Sequence, residues 1–595
     1  MRSADAAGRP VESRRPSKAI VALAFAAVTI ALRLPGLVAA PTFCDEAIYL
    51  RYAQLVARDP IGNALVSLVD PKPPLHFWLL APLFRLGVDP LWGGRLLSVL
   101  AAAAASAVLV LLVPELLRLR RRGAGGPEEE WTTGVAALLF ITCPFLAFYE
   151  RMAMSESLLI LESVVAAWLA LRMARDAGTG EGSRATLRHA LAFGAVVGLA
   201  MMTKQNASYV LWGLPWLALP ARADSAKPGA ARRLGRSTAV AAAIALVIWS
   251  PVLLTDRGPS LRERVFFRGA HAFVGEPAEM VRTAATNLVY AFVPATIRSV
   301  PGADPETGFA APAEAGWLWV YLTPPVEILG LLGLLLLLGR RETRIFRFLA
   351  GWSALSLLPL LPSPLPYSRY ALFCVPPLLL AAALLAATAI EALRERIASP
   401  SLRAALAGLF VAAIAIWPAL SLSAQIRAPD RQRFVKADRW QFVSGWSAGG
   451  ATREAIRALR AIASRENAIV VVTSDTAGVP TDAVWVELDG EPGISVFFID
   501  WAERLPVLYS PAAPGWVLLR AQFHHFDPRT VMVRLPPRVP VFFVVADHRV
   551  GSADAGREAK RLAVRNPELT EVARFSNLPM EPGGAIDDVV VFRVR

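Results

Sequence analysis

Long apolar runs separated by short polar connections fill the first 423 residues, a pattern that predicts membrane-crossing helices rather than the half-buried elements of a soluble core. Eleven runs fit: Ala19–Ala40, Trp92–Leu117, Trp131–Tyr149, Glu156–Met173, His189–Thr203, Ala207–Pro220, Ser237–Thr255, Trp317–Leu338, Ile345–Pro362, Tyr370–Ile390 and Ala404–Ser423. Two amphipathic pieces after the first run, Asp45–Ala57 and Leu75–Leu86, are too short to cross and are expected to lie along the interface. Beyond Ser423 the pattern changes. Short β-like runs begin at Ala468, Ala483, Ser495, Val539 and Asp588, with a helical stretch at Ala451–Ser464, as in a compact α/β domain. The expected fold class is therefore a polytopic α-helical membrane protein with a C-terminal extracytoplasmic α/β domain. Its divisions are a tail over residues 1–18, a membrane domain over 19–423 with outer loops at 41–91 and 256–316, and a domain over 424–595.

Composition agrees with this division. Hydrophobic residues make up 55% of the chain and charged residues 18%, which excludes an ordinary soluble protein. The formal net charge of +14 comes from arginines clustered between apolar runs, for example RLRRRGAGG at 118–126 and GRRETR at 339–344. Such clusters set topology and meet anionic membrane lipid, and no nucleic-acid partner is expected. Placed inside, they give a multi-pass plasma (inner) membrane protein with a cytoplasmic N-terminus and an outward C-terminal domain. The long outer loop runs against this bias with Arg257, Arg262, Arg264, Arg268, Arg282 and Arg298, and its stretches Leu261–Phe273 and Ala278–Phe292 have helical spacing. The three cysteines are too few and too scattered for a disulfide framework or a zinc site. SGWSAGG at 444–450 fits neither a Walker loop nor a dinucleotide fingerprint, and is read as a capping turn.

The candidate chemistry lies where apolar runs end on the outward side. Asp45 and Glu46 follow the first run directly. Asp45 shares a helix face with Tyr49 while Glu46 points elsewhere, so Asp45 is favoured as general base and Glu46 as an orienting or ligating group. A helix cap is the alternative role for Asp45. Lys72 occupies a proline-fixed turn, where a solvated lysine is the alternative. Glu150, Arg151 and Glu156 fall in the short turn YERMAMSE, Lys204 in MMTKQNA, and Arg369 and Tyr370 in PYSRYALFCVPP. Lys204 could instead snorkel from a helix end. Carboxylates and cations on one face suit a lipid-phosphate substrate: cations for the phosphate, an acid group for an attacking hydroxyl.

The order FCDEAIYLRYA, KPPLHFWLLAPLFRLG, GGRLLSVL with Arg95, YERMAMSESLLIL, GLAMMTKQN and PYSRYALFCVPPLLL resembles the GT-C glycosyltransferases of the protein O-mannosyltransferase and aminoarabinose-transferase type. The resemblance covers roughly residues 19–390. It implies a polyprenyl-phosphate-linked sugar as donor, an acceptor that is a protein, lipid or glycan, Asp45 as the catalytic or acceptor-orienting acid, and Lys72 on the donor phosphate. It further implies phosphate contacts from Lys204, Arg369 and Tyr370, and a supporting acid at Glu156, where many members have Asp. A divalent metal is associated with some members; here Asp70 and His271 are the only loose candidates, and two ligands do not make a metal site. Direct displacement, with inversion at the anomeric carbon, is the expected mechanism. A flippase without chemistry and an anchored scaffold are the other classes; the first would place charges within spans, and the second needs far fewer crossings.

Overall fold

The protein is described here by a computed structural model. It describes residues 16–70, 72–120, 126–180, 183–204, 209–219, 227–255, 277–292, 316–358, 367–473, 478–498, 507–509, 517–522, 530–535, 539–547, 559, 563–564, 567, 569–579 and 587–594. The helices of the N-terminal part are α1 (Lys18–Arg33), α2 (Cys44–Arg58), α3 (Leu75–Arg85), α4 (Pro90–Leu117), α5 (Pro127–Thr142), α6 (Pro144–Tyr149), α7 (Glu156–Thr179), α8 (Ser183–Thr203), α9 (Leu214–Ala218) and α10 (Ala230–Leu254). They are followed by α11 (Pro277–Phe292), α12 (Trp317–Tyr321), α13 (Pro324–Gly339), α14 (Thr343–Leu357), α15 (Val375–Arg396) and α16 (Pro400–Arg427).

Among the described residues six helices are long and apolar enough to cross a membrane: α4, α7, α8, α10, α16, and the span Ser368–Arg396 formed by a 3-10 turn running into α15. This is fewer than the eleven expected from apolar runs. Of the other five runs the described residues form shorter helices, and for three of them the reason is visible. Pro144 divides the third run into α5 and α6, and Pro324 separates α12 from α13. The first run stops as a helix at Arg33, whose guanidinium turns inward to Glu150 and to the Ile141 carbonyl, each at 2.8 Å.

The span 368–396 is the most enclosed of the six, and α10 and α16 are the most peripheral. Helices meet through small residues: a Cβ on Gly194 of α8 would lie 2.3 Å from the Ala241 carbonyl oxygen of α10, so only glycine permits that approach. The two loop pieces fold as expected, as α2 and α3. Of the long outer loop, Ala278–Phe292 is realised as α11, whereas Leu261–Phe273, His271 and all the loop arginines except Arg282 lie outside the described residues.

The C-terminal part contains α17 (Lys436–Arg439), α18 (Gly450–Glu466), α19 (Thr481–Leu488) and the strands β1 (Ile469–Thr473), β2 (Ile494–Phe498), β3 (Val507–Tyr509), β4 (Val517–Gln522), β5 (Thr530–Leu535), β6 (Val541–Asp547), β7 (Leu569–Ser576) and β8 (Asp588–Val594). The sheet order is β3-β4-β2-β1-β6-β8-β7, with β5 paired to β4. β1 runs parallel to both β2 and β6 and is buried throughout, as its unbroken IVVVT predicts.

One expected strand is a helix. AVWVEL at Ala483 lies within α19, where Ala483, Val484, Trp485, Val486 and Leu488 are all buried. A run apolar on every side satisfies helix and strand equally well, and packing against α2 decides. The SGWSAGG turn leads into α18 with Gly449 as N-cap but supplies no side-chain cap; the Ala451 N–H donates instead to the Asn577 side chain at 2.8 Å. A Cβ on Gly449 would lie 1.9 Å from the Thr42 carbonyl oxygen, so this turn is pressed against the start of the first loop.

Candidate active site

The site is organised by the first turn of α2. Phe43 is the N-cap, and its N–H donates to a carboxylate oxygen of Glu46 at 3.0 Å, so Glu46 and not Asp45 closes the capping interaction. Both Glu46 oxygens are also bound by Arg95 of α4, at 2.9 and 2.8 Å, and one accepts the Ala153 N–H at 2.6 Å. Arg95 spends its remaining donors on the carbonyls of Leu37, Ala40 and Pro41. The pair is buried, with Glu46 at 0% and Arg95 at 1% exposure. Gly94 lets α4 come this close, because a Cβ there would lie 2.5 Å from the Leu50 side chain and 2.7 Å from that of Ala153. The pair therefore fastens the end of the first apolar run, the start of α2 and the 150–155 turn to one another.

Asp45, one residue earlier, is left to face the other way. Its carboxylate accepts from Arg369 at 2.6 Å and keeps 23% of its side-chain surface open. Burial pushes the Asp45 carboxyl up, but Arg369, then Lys72 and Lys204, outweigh it and hold the group below its ordinary value. These four residues come from four separate segments, and the last three are the cations picked out in the sequence. Lys72 is set by reciprocal bonds between Ser67 and the Lys72 backbone, pairs with Asp70, and lies 5.7 Å from the Tyr49 ring centre. Lys204, at the end of α8, pairs with Glu156 at 2.5 Å and lies 6.0 Å from the Tyr370 ring. Arg369 sits 4.8 Å from the Tyr367 ring and 5.9 Å from that of Tyr370.

Three cations thus face three carboxylates: Lys72 with Asp70, Lys204 with Glu156, Arg369 with Asp45. The pairing leaves capacity unused. Arg369 Nε and one Glu156 oxygen are buried with no hydrogen-bond partner among the described residues. A phosphate entering here would meet preset donors, and its arrival would compete with Asp45 for Arg369.

Other sequence candidates fall elsewhere. Arg95 belongs to the buried Glu46 pair. Arg151 donates to the Gly36 carbonyl at 2.8 Å and lines a separate cavity. Asp70 has Lys72 as its partner and His271 lies outside the described residues, and no group of three or more metal-ligating side chains occurs among those described. Among the described residues, those around Asp70 do not make a metal centre.

Two participants had no signal in the sequence. Asp438 of α17 accepts from Ser368 at 2.5 Å and from the Tyr321 hydroxyl, steadying the residue before Arg369; burial raises its carboxyl despite these donors. His76 of α3 is buried 5.7 Å from the Tyr49 ring, and burial pushes it down to about 4, so it is neutral near pH 7. Cys44, beside Asp45, is no nucleophile: burial drives its thiol far up.

The back of α2 is held by the C-terminal part. Arg51 donates to Asp489 at 3.0 Å and lies 4.1 Å over the Trp485 ring, Arg58 pairs with the same Asp489, and Gln54 donates to the Val486 carbonyl at 3.1 Å.

Residues 71–254 match the family model described as dolichyl-phosphate-mannose-protein mannosyltransferase. No curated protein matches the chain. Among solved structures, ArnT from Cupriavidus metallidurans bound to undecaprenyl phosphate superposes with a TM-score of 0.50 at 16% identity, covering 97% of this chain and 97% of that one. The Archaeoglobus fulgidus oligosaccharyltransferase tethered with an acceptor peptide gives a TM-score of 0.50 at 14% identity, over 79% of this chain. The chain spans 62% of the length of that archaeal enzyme. Identities so low speak to fold alone: the chain shares its fold with ArnT and with the archaeal oligosaccharyltransferase.

Proposed function

We propose that this chain is a membrane glycosyltransferase that moves a sugar from a polyprenyl-phosphate donor to an acceptor hydroxyl on the extracytoplasmic face. The observation that carries this reading is the ion pair of Arg369 with Asp45, with Lys204 beside the Tyr370 ring that Arg369 also approaches and Lys72 beside the ring of Tyr49, one turn on from Asp45. The donor phosphate takes Arg369, Lys72 and Lys204 as its partners. Losing Arg369 removes the strongest influence holding the Asp45 carboxyl down, so donor binding itself makes Asp45 a better base. The acceptor oxygen then attacks the anomeric carbon while its proton passes to an Asp45 carboxylate oxygen. The bond from that carbon to the phosphate oxygen breaks, and the electron pair stays on the phosphate, facing the cations. One displacement inverts the anomeric centre. Glu46 acts as a positioning residue in this scheme, and Glu156 orients Lys204.

The eleven-span topology belongs to the same proposal. The shorter helices α1, α5 with α6, α9, α12 with α13, and α14 coincide with the five remaining apolar runs, and an odd number of crossings puts the C-terminal domain opposite the N-terminus. The domain's grip on α2, through Asp489, supports its placement on the side of the site.

A glycolipid flippase is the reading that Glu162 favours, since it is buried within α7 and accepts from Thr203 at 2.8 Å. Membranes containing the protein, supplied with a panel of labelled polyprenyl-phosphate sugars, separate the two. Transfer with inverted anomeric configuration, lost in Asp45→Asn, is expected. Equal transfer by wild type and variant removes Asp45 from the mechanism, a retained centre removes single displacement, and translocation without transfer from any donor selects the flippase.

A further inference from the structure

A cavity of about 380 Å³, lined by Arg95 but not by Asp45, lies between the end of the first apolar run, the end of α16 and the start of α18. Its wall is aromatic. Phe43, Phe148 and Phe434 surround Phe442 with ring centres 4.6, 4.8 and 5.9 Å from it. Three buried polar side chains lining it have hydrogen-bonding atoms without partners among the described residues: Arg151 Nη1, Gln425 Oε1, and both amide atoms of Gln432. Their exposures are 9%, 7% and 5%. Leaving a guanidinium nitrogen and a whole amide unbonded at that depth is costly unless something occupies the space.

Charge narrows the occupant. Of the arginines on the wall, Arg95 is neutralised by Glu46 and Arg457 by Glu454. Arg453, which donates to the Val38, Ala39 and Ala40 carbonyls, and Arg151 then stand against Asp430 alone. The surplus is positive. Position narrows it further. Gly36, just past α1, and Ile426, at the end of α16, meet so closely that a Cβ on Gly36 would lie 3.3 Å from the Ile426 carbonyl oxygen. Both helices present apolar side chains outward, including Leu23 and Val28 on α1 and Ile416 and Leu420 on α16. An anion with an apolar tail could place its head by Arg151 and Gln432, and its tail along the phenylalanines towards those faces.

We infer that this cavity is a second lipid site, taking the phosphate head of an anionic phospholipid from the surrounding bilayer and distinct from the site at Asp45. The test is native mass spectrometry of the full-length protein in detergent, titrated separately with phosphatidylglycerol, phosphatidylcholine and inorganic phosphate. The account expects a phosphatidylglycerol adduct that Arg151→Gln and Gln432→Leu each weaken by about tenfold, the effect of losing one charge-assisted or buried hydrogen bond. Lys72→Ala should leave that adduct unchanged. Because Arg151 also holds Gly36, Gln432→Leu keeps the test decisive if Arg151→Gln misfolds. Unaltered affinity in Gln432→Leu, loss of the adduct in Lys72→Ala, equal binding of phosphatidylcholine, displacement by equimolar inorganic phosphate, or no adduct with the wild type would each overturn the inference.

Discussion

Asp45 and Glu46 are adjacent carboxylates on one helical turn, and the chain surrounds them differently. Glu46 is wholly enclosed, its two oxygens divided among Arg95, the Phe43 N–H and the Ala153 N–H, each carried by a different segment. Asp45 has one cationic partner, an open edge, and neighbours that retain unused donors. A saturated, desolvated ion pair resists change, whereas an unsaturated one can exchange partners. The first kind builds the turn, and the second leaves it something to do.

Breaking the enclosed pair should have the largest effect. Glu46→Gln leaves Arg95 buried beside a neutral side chain, and a loss on the order of 3–5 kcal/mol is expected from one-sided removal of such a pair. Thermal unfolding in detergent would register it as a large fall in midpoint, with transfer lost through unfolding. The double variant Glu46→Gln with Arg95→Met should lose less than the sum of the two single changes, because no charge is then stranded. An additive result would mean that the two side chains do not act as a unit.

Asp45→Asn should behave oppositely, keeping the fold while turnover drops by roughly 10²–10⁴, the range for loss of a general base. Stability and rate measured on the same preparation make the contrast explicit. If the melting point fell as far as in Glu46→Gln, the distinction between the two carboxylates would collapse.

A pH series sharpens the same point. The Asp45 carboxyl is held below its ordinary value of 3.8 in the folded chain, so its pairing with Arg369 contributes stability in full above that value. The contribution disappears as pH falls through the lower, folded value. The stability difference between wild type and Asp45→Asn should therefore stay level from about pH 7 to 5 and shrink only below about pH 4. A difference that fades near pH 6 would mean the carboxyl is raised, not lowered.

The smallest effect is expected at the back of α2. Asp489→Ala removes the shared partner of Arg51 and Arg58. Arg51, whose guanidinium burial pulls down to about 10, would keep its contact with Trp485. A loss of about 1–3 kcal/mol, typical of stranding one buried hydrogen-bonding group, should appear as a modest shift in unfolding, with transfer reduced less than tenfold.

Much of this arrangement was legible in the residues. The apolar runs located the helices, and the prolines at 144 and 324 mark where two of them break. Asp45, Lys204 and Arg369 were each visible as a charge at the end of an apolar run and Lys72 as a lysine in a proline-fixed turn, and the fold pairs Asp45 with Arg369. What the sequence withheld depends on partners distant along the chain. Nothing near Glu46 announces Arg95, 49 residues away, and nothing near Ser368 announces Asp438, 70 residues away. The run at 483–488 became a helix because α2 offered it a surface, and β7, LTEVARFS, lacked an unbroken apolar stretch to set it apart. Local patterns record which faces are apolar; they do not record which buried ions will meet.

The most direct test of the division of labour is to titrate undecaprenyl phosphate against wild type, Asp45→Asn and Lys72→Ala, and to measure sugar transfer by the same samples. The account predicts that Asp45→Asn binds the lipid phosphate at least as tightly as wild type, since Arg369 is released to it, yet transfers almost nothing, while Lys72→Ala loses affinity. Weakened binding in Asp45→Asn with turnover preserved would contradict it.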